Sequence, residues 1–197
     1  MSLWGATDSD ESKPKNLTTA EKLEVSASSK GWVREAGSRL SGNGNTSATP
    51  EVLVAIGGLA VKIGAADITE IEWITTAFDK SDGGTLSARL RFNEAVDVVT
   101  TGGTPTLAVT NGNEGSGTGR GPHALAYASG TGTNELVFSL VIGAANAATN
   151  EDDVLSFGAN CLALNSGTIK DAGTTTNSTI TSVAGIGTAA GTITVAA

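Results

Sequence analysis

The residue types able to do chemistry are few and scattered. The 197-residue chain holds one histidine, His123, and one cysteine, Cys161. A nucleophilic site needs its hydroxyl or thiol within hydrogen-bond reach of a base that a third group orients. His123 stands in RGPHAL, Cys161 lies in the apolar run FGANCLAL, and no G-x-S-x-G elbow is present. The plainer reading of Cys161 is a buried small hydrophobe, and that of His123 a structural or solvent-facing side chain. A single cysteine excludes an intrachain disulfide and a multi-cysteine metal site. Carboxylates cluster in FDKSDGG (Asp79, Asp82) and in NEDDV (Glu151, Asp152, Asp153). Neither has the spacing of a helix–loop–helix calcium loop, and turn chemistry accounts for both. Glu94 and Asp97 could suggest the paired carboxylates of a glycosidase, but aromatic residues make up only 4% of the chain, too few for a sugar groove. The glycine-rich GSGTGRG (115–121) fits neither phosphate-binding pattern, so it reads as a loop. The expectation is a protein with no catalytic residue, cofactor or metal, and not an enzyme.

Charge narrows the classes further. The chain is acidic, with a net charge of −8. Nucleic-acid binding needs Lys and Arg to neutralise phosphates and is not expected. The charge is unevenly placed. Residues 1–65 carry seven basic and seven acidic side chains, whereas residues 66–197 carry five and thirteen. The second region should repel copies of itself and the first should not. No run approaches the length of an apolar membrane span, so no membrane is expected. The start, MSLWGATDSDESKPKNL, lacks a basic segment followed by an apolar one. The expectation is therefore a protein without a secretory signal, made in the cytoplasm.

The elements that would position any site are mostly strands. Gly accounts for 26 residues and Thr, Ser and Asn for many more, which suits short strands joined by tight turns. In TLSARLRFNEAVDVV (85–99), Leu86, Ala88, Leu90 and Phe92 alternate with Thr85, Ser87, Arg89 and Arg91. Period two predicts one buried face, and the alternation stops at Asn93-Glu94. TPTLAVTNG puts Leu107 and Val109 inward, with Asn111-Gly112 as a turn signal. HALAYASG pairs Leu125 with Tyr127, and NELVFSLVIG places Leu136, Phe138 and Leu140 together. Trp73 alternates with Ile71 and is expected in the core. Breaks every ten to fifteen residues or so predict six to eight strands in 66–197 and an antiparallel sandwich. Residues 1–50 read as an extended arm punctuated by Pro14 and Pro50. It carries one short helical fragment, TTAEKLEVSASS (18–29), with Thr18 or Thr19 as its cap and Glu21 or Glu24 near the first turn. Residues 51–64, EVLVAIGGLAVKIG, read as an apolar strand broken at Gly57-Gly58. Trp4 and Trp32 stand out in the polar arm, where an indole gains most by anchoring in a groove.

Two resemblances sharpen this. LRFNEAVDV, GTPTLAVTNG, ALAYASGTGTNELVFSLVIG and LALNSGTIKDAG occur in that order over residues 67–178. The series resembles the bacterial immunoglobulin-like repeats of large surface and adhesin proteins. The stretch NEGSGTGRGPH departs from them, being longer than a hairpin needs. SLWG, SKPKNLT, GWVRE and PEVLVAIGGL, over residues 2–63, resemble the N-terminal part of small virion structural proteins of marine tailed phages, notably those of cyanobacteria. An adhesin has many repeats and a secretion route, whereas this chain has one repeat.

The resemblances imply an all-β protein: an extended N-terminal arm over 1–65 with a docking strand at 51–63, then one immunoglobulin-like antiparallel sandwich over 66–197. They imply a capsid decoration or cement protein on the exterior of a virion, with a tail or neck position as the alternative. A bacterial surface adhesin or carbohydrate-binding module is the alternative from another class. The expected partners are other virion proteins, the major capsid protein first, and copies of this chain. A weak contact of the outer domain with a host glycan is a further expectation. The residues expected to make the contacts are Trp4, Lys13, Pro14, Lys15, Trp32, Val52, Val54 and Ile56.

Overall fold

A computed structural model describes residues 13–14, 16–34, 47–113, 123–144 and 149–197. It opens on a short helix, α1 (Thr19–Leu23). Thr18 caps it: the Thr18 hydroxyl oxygen accepts from the Glu21 N–H at 3.3 Å, and the Glu21 carboxylate accepts from the Thr18 N–H at 2.9 Å. This reciprocal box satisfies two of the helix's orphan donors. The Thr18 N–H bond first, then the Thr18 hydroxyl, which donates to the same carboxylate at 2.8 Å, hold the Glu21 carboxyl below its usual range. The helix stops at Leu23, short of the expected fragment over 18–29, whose second half forms β1 (Val25–Ser28) because it pairs with β2 (Gly31–Arg34). β1 pairs antiparallel with β2, and β2 with β3 (Glu51–Ala55). The chain then turns at Gly57-Gly58 into a single helical turn, α2 (Leu59–Lys62). Gly58 takes the left-handed φ of 69° that this entry requires. Leu59 and Ile63 thereby share one face, and they pack with Val25, Ala27 and Trp32 into a small core of their own.

An extended arm is thus not what the described part of residues 1–65 forms. Three strands and two helical turns fold on each other there, because Trp32 supplies enough apolar surface to close a miniature core. The apolar run 51–64 is likewise not one broken strand but strand, turn and helix. Gly31 holds the β2–β3 contact at its tightest point. Its φ is +130°, and a Cβ there would run into the Val54 carbonyl oxygen. Gly31→Ala is expected to destabilise this N-terminal module by more than about 1 kcal/mol. Faster amide exchange in β1 and β2, with the rest unchanged, would show it.

The remaining strands are β4 (Ile68–Trp73), β5 (Phe78–Asp79), β6 (Gly84–Val99), β7 (Thr106–Asn113), β8 (His123–Ser129), β9 (Thr133–Ile142), β10 (Asp153–Ser156), β11 (Leu162–Ala163), β12 (Thr168–Asp171) and β13 (Ile193–Ala196). A helix, α3 (Ala184–Ala189), precedes β13 and packs on β4. All thirteen strands join one mixed sheet with the path β3-β2-β1-β6-β9-β8-β7-β10-β13-β5; β4 and β12 pair with β6, and β11 pairs with β7. Two pairings are parallel, β1 with β6 and β13 with β5. The described strands after residue 65 exceed the expected six to eight, because β5 and β11 are only two residues long.

The inward face of β6 is the one its alternation predicts: Leu86, Ala88 and Leu90 are fully buried and Phe92 nearly so. Leu107, Val109, Leu125, Leu136 and Phe138 meet them in one core, with Cys161 at its margin. Trp73 packs against this core, its ring 4.2 Å from that of Phe157, and its indole N–H donates to the Gly191 carbonyl. Asn111-Gly112 does not turn. It lies inside β7, which leaves β8 and pairs with β10 over residues 110–113.

The break at Asn93-Glu94 is where three neighbours of β6 change. Against β9, Arg91 lies opposite Glu135 and Val96 opposite Thr133, so four residues of β6 face one of β9. Such a bulge bends a strand and re-aims its side chains. β1 pairs at this bend, Ala27 beside Glu94, and β12 takes over from Val96 onward. Both faces of β6 are therefore covered from Arg91 to Glu94. No helix among the described residues is long and apolar enough to cross a membrane.

Candidate functional site

The outer face of β6 carries a two-row ladder of charge. β4, β6 and β9 run side by side, in a register that sets Glu70 and Glu135 on either side of Arg91. The next row sets Glu72 beside Arg89. Arg91 Nε donates to Glu135 Oε1 at 2.7 Å, and Nη1 donates to Glu70 Oε2. Its Nη2 faces Glu72 Oε2 at 3.6 Å and Glu24 Oε1 at 3.7 Å. Arg89 bridges Glu72 and Glu135 at 3.6 and 3.4 Å. Glu24 arrives from the N-terminal module, between α1 and β1, and the Glu24 and Arg91 side chains are each only 1% exposed. Arg91 was expected to face solvent with Thr85, Ser87 and Arg89. It keeps that face but is buried, because the N-terminal module lies over this end of the sheet.

Burial works against a charged guanidinium, but the carboxylates of Glu135 and then Glu70 outweigh it and raise the Arg91 pKa. Each of its three nitrogens already faces a carboxylate. A planar fork used on every side is a clamp between elements, not a receptor for an incoming anion.

A second polar cluster surrounds His123. The ring is buried, with Nε2 3.0 Å from the Thr149 hydroxyl and 3.4 Å from the Asn111 amide nitrogen. An amide N–H₂ can only donate, so Nε2 accepts and Nδ1 carries the proton of the neutral ring. Burial lowers the His123 pKa, against a smaller opposing pull from Asp153. Asp153 is itself buried and accepts from the Asn150 N–H at 2.7 Å. A folded value below the ordinary 6.5 means that the unfolded chain takes the proton first as pH falls. This contribution to stability is complete above pH 6.5 and declines below it. His123 is the chain's one histidine, so the melting midpoint is expected to fall from pH 7 to pH 5.5. His123→Gln is expected to flatten that slope, as thermal scans in matched buffers would read out.

The other candidates are placed as follows. Cys161 is buried, and burial raises its thiol pKa, which makes it a poor nucleophile. Asp79 accepts from the Ser81 N–H and hydroxyl at 2.8 and 2.7 Å, and the hydroxyl bond first, then the N–H bond, holds its carboxyl low. Asp79 and Asp82 lie beside an open cleft of about 380 Å³ next to β5, where Asp79 organises a turn. Asp152 sits at a φ of 65°, also in a turn. Glu94 is buried and Asp97 exposed, where it accepts from the Gly173 N–H, so the two do not line one groove. GSGTGRG lies outside the described residues. No group of three or more His, Cys, Asp or Glu able to hold a metal occurs among the described residues.

Of the residues expected to contact partners, Trp4 and Lys15 lie outside the described residues. Lys13 is buried: its Nζ donates to the Lys22 carbonyl at 2.9 Å and lies 5.9 Å from the Trp32 ring centre. Pro14 is buried beside it in sequence. Trp32 is 2% exposed in the small core, so its surface is used within the chain and is not available to a neighbour. Val52 is 43% exposed on β3, while Val54 and Ile56 are half-buried. The Arg91 clamp escaped the sequence reading, because charged residues on an alternating strand read as a wet face. The signal was the matched doublets, E-x-E in TEIEW against R-x-R in ARLRF.

The fold places the chain in the all-β class. Compared with models of known families, with curated proteins and with solved structures, the chain matches none.

Proposed function

We propose that the chain is a non-enzymatic virion structural protein, a capsid decoration or cement protein on the particle exterior. Its N-terminal portion grips the lattice, and an immunoglobulin-like sandwich over residues 66–197 projects outward. The motif order of both resemblances supports this. So does β6, which changes neighbours at a bulge as sandwich strands do when they cross between layers. The observation that carries the reading is the end of the sheet. β3 is the last strand of the path, at the charge-balanced end of the molecule, with Val52 half in solvent. Strand addition at such an edge gives affinity through main-chain bonds without a deep pocket. Many weak copies on a symmetric shell then hold by avidity, and the acidic head keeps the outer surface non-sticky.

The attachment differs from an arm of anchoring indoles. Trp32 and Lys13 stay inside the module, which leaves β3, Trp4 and Lys15 as the contacts. Purified particles test this by co-sedimentation and mass spectrometry. The chain is expected on the particle, and Val52→Asp is expected to lower its occupancy while the melting midpoint of the free chain holds. Absence from particles, or normal occupancy of Val52→Asp, overturns it.

A further inference from the structure

We infer that the open edge of β3 pairs with the β3 edge of a second copy of this chain. The pairing is antiparallel, about a twofold axis between Leu53 and Val54. It rests on the assembly reading and names the occupant of its docking strand. β2 covers one edge of β3, and among the described residues no strand pairs with the other. The Ile56 N–H donates to the Lys30 carbonyl at 3.0 Å, on the covered side. By strand alternation the main-chain groups of Ala55 face the open side, and the extra residue Leu53, between the Val54–Trp32 and Val52–Val33 pairs, turns those of Val52 the same way. Edges are normally guarded by Lys, Pro or an inward charge, or weakened by a bulge and by shortness, and β3 has only the last two. β3 has no Lys, its Pro50 precedes the strand, and its one charge, Glu51, stands at the strand's end.

The strand is complementary to itself. The twofold register puts Val52 opposite Ala55, Leu53 opposite Val54 and Glu51 opposite Ile56, so no like charges meet. Charge selects a second copy over other occupants. Residues 1–65 balance at seven and seven, while the remainder carries the whole −8. Copies that meet through their neutral ends keep their acidic regions apart, whereas a basic partner is drawn to the acidic region instead. A twofold contact of this kind closes on itself and does not grow into a fibre. The bulge at Leu53, within β3 itself, keeps the pairing short, so the contact is weak in solution.

Sedimentation equilibrium of the full chain from about 1 µM to about 1 mM tests this. A monomer–dimer equilibrium is expected across that range. Ala55→Pro removes an outward N–H without touching the β2–β3 ladder. It is expected to stay monomeric, with the circular dichroism spectrum and melting midpoint kept. Should that variant misfold, V52C/A55C serves instead. Those two positions oppose each other across the twofold, so mild oxidation is expected to yield a covalent dimer, with buried Cys161 uninvolved. A chain monomeric throughout, a dimer that Ala55→Pro leaves intact, or a folded V52C/A55C that does not cross-link overturns the inference. A monomer that still occupies particles overturns it and leaves the assembly reading with another strand on β3. A dimer absent from particles sustains it and overturns the assembly reading.

Discussion

Arg91→Ala is expected to destabilise the chain by about 3–5 kcal/mol, the usual cost of breaking a buried ion pair by removing one partner. Four carboxylates converge on this side chain, and Glu24 is 1% exposed, with no route to bulk water while the N-terminal module stays docked. The loss is a large share of the roughly 5–15 kcal/mol of a whole domain. Arg91→Lys is expected to recover only part, because one ammonium cannot match a fork that faces Glu135, Glu70 and Glu72 at once. Arg89 is the control. It is 28% exposed and shares the same carboxylates, so Arg89→Ala is expected to cost under about 1 kcal/mol. Urea unfolding of the three variants measures all of this. Equal small losses at both positions would mean that the ladder is ordinary surface charge.

Phe138→Ala is the second large effect, at about 3–5 kcal/mol. Phe138 is fully buried in β9, opposite Ala88 of β6, and its ring meets Tyr127 edge-on at 5.9 Å between centres. Large faces small across the pair, so Ala88 directly opposite cannot fill the space vacated by the ring. The lost edge contact adds about 0.5–1.5 kcal/mol. The melting midpoint should drop sharply with the far-ultraviolet spectrum preserved at low temperature. A nearly unchanged midpoint would contradict the inward assignment of this face.

The two predictions divide along what could be read from residue order. The core around Phe138 follows from period two, since Leu136, Phe138 and Leu140 fall on one face of β9, with Glu135, Val137 and Ser139 on the other. The N-terminal module does not follow. β1 reads VSAS and β2 reads GWVR, too few apolar positions for either to show a face. Their core forms only when α2 brings Leu59 and Ile63 to Trp32, a contact between distant positions that no local pattern records. Trp32 looked like an anchor for the same reason: an indole with no visible local partner invites an external one. Arg91 was hidden by the same gap, because nothing in β6 itself announces that another module covers it. The start of α1 was readable, being local, as a cap at Thr18 or Thr19, and the structure selects Thr18 with Glu21. The β3 run was readable as apolar, but its place at the end of the sheet was not.

The most direct test of the central claim is amide exchange on the free chain beside the same chain in purified particles. The expected result is slow exchange in β1 and β2 in both states, since that module is folded on its own core. The Ala55 amide should exchange rapidly in the free, dilute chain and become protected on assembly. Rapid exchange throughout β1 and β2 in the free chain, or an Ala55 amide equally exposed in both, would contradict a folded module that assembles through the edge of β3.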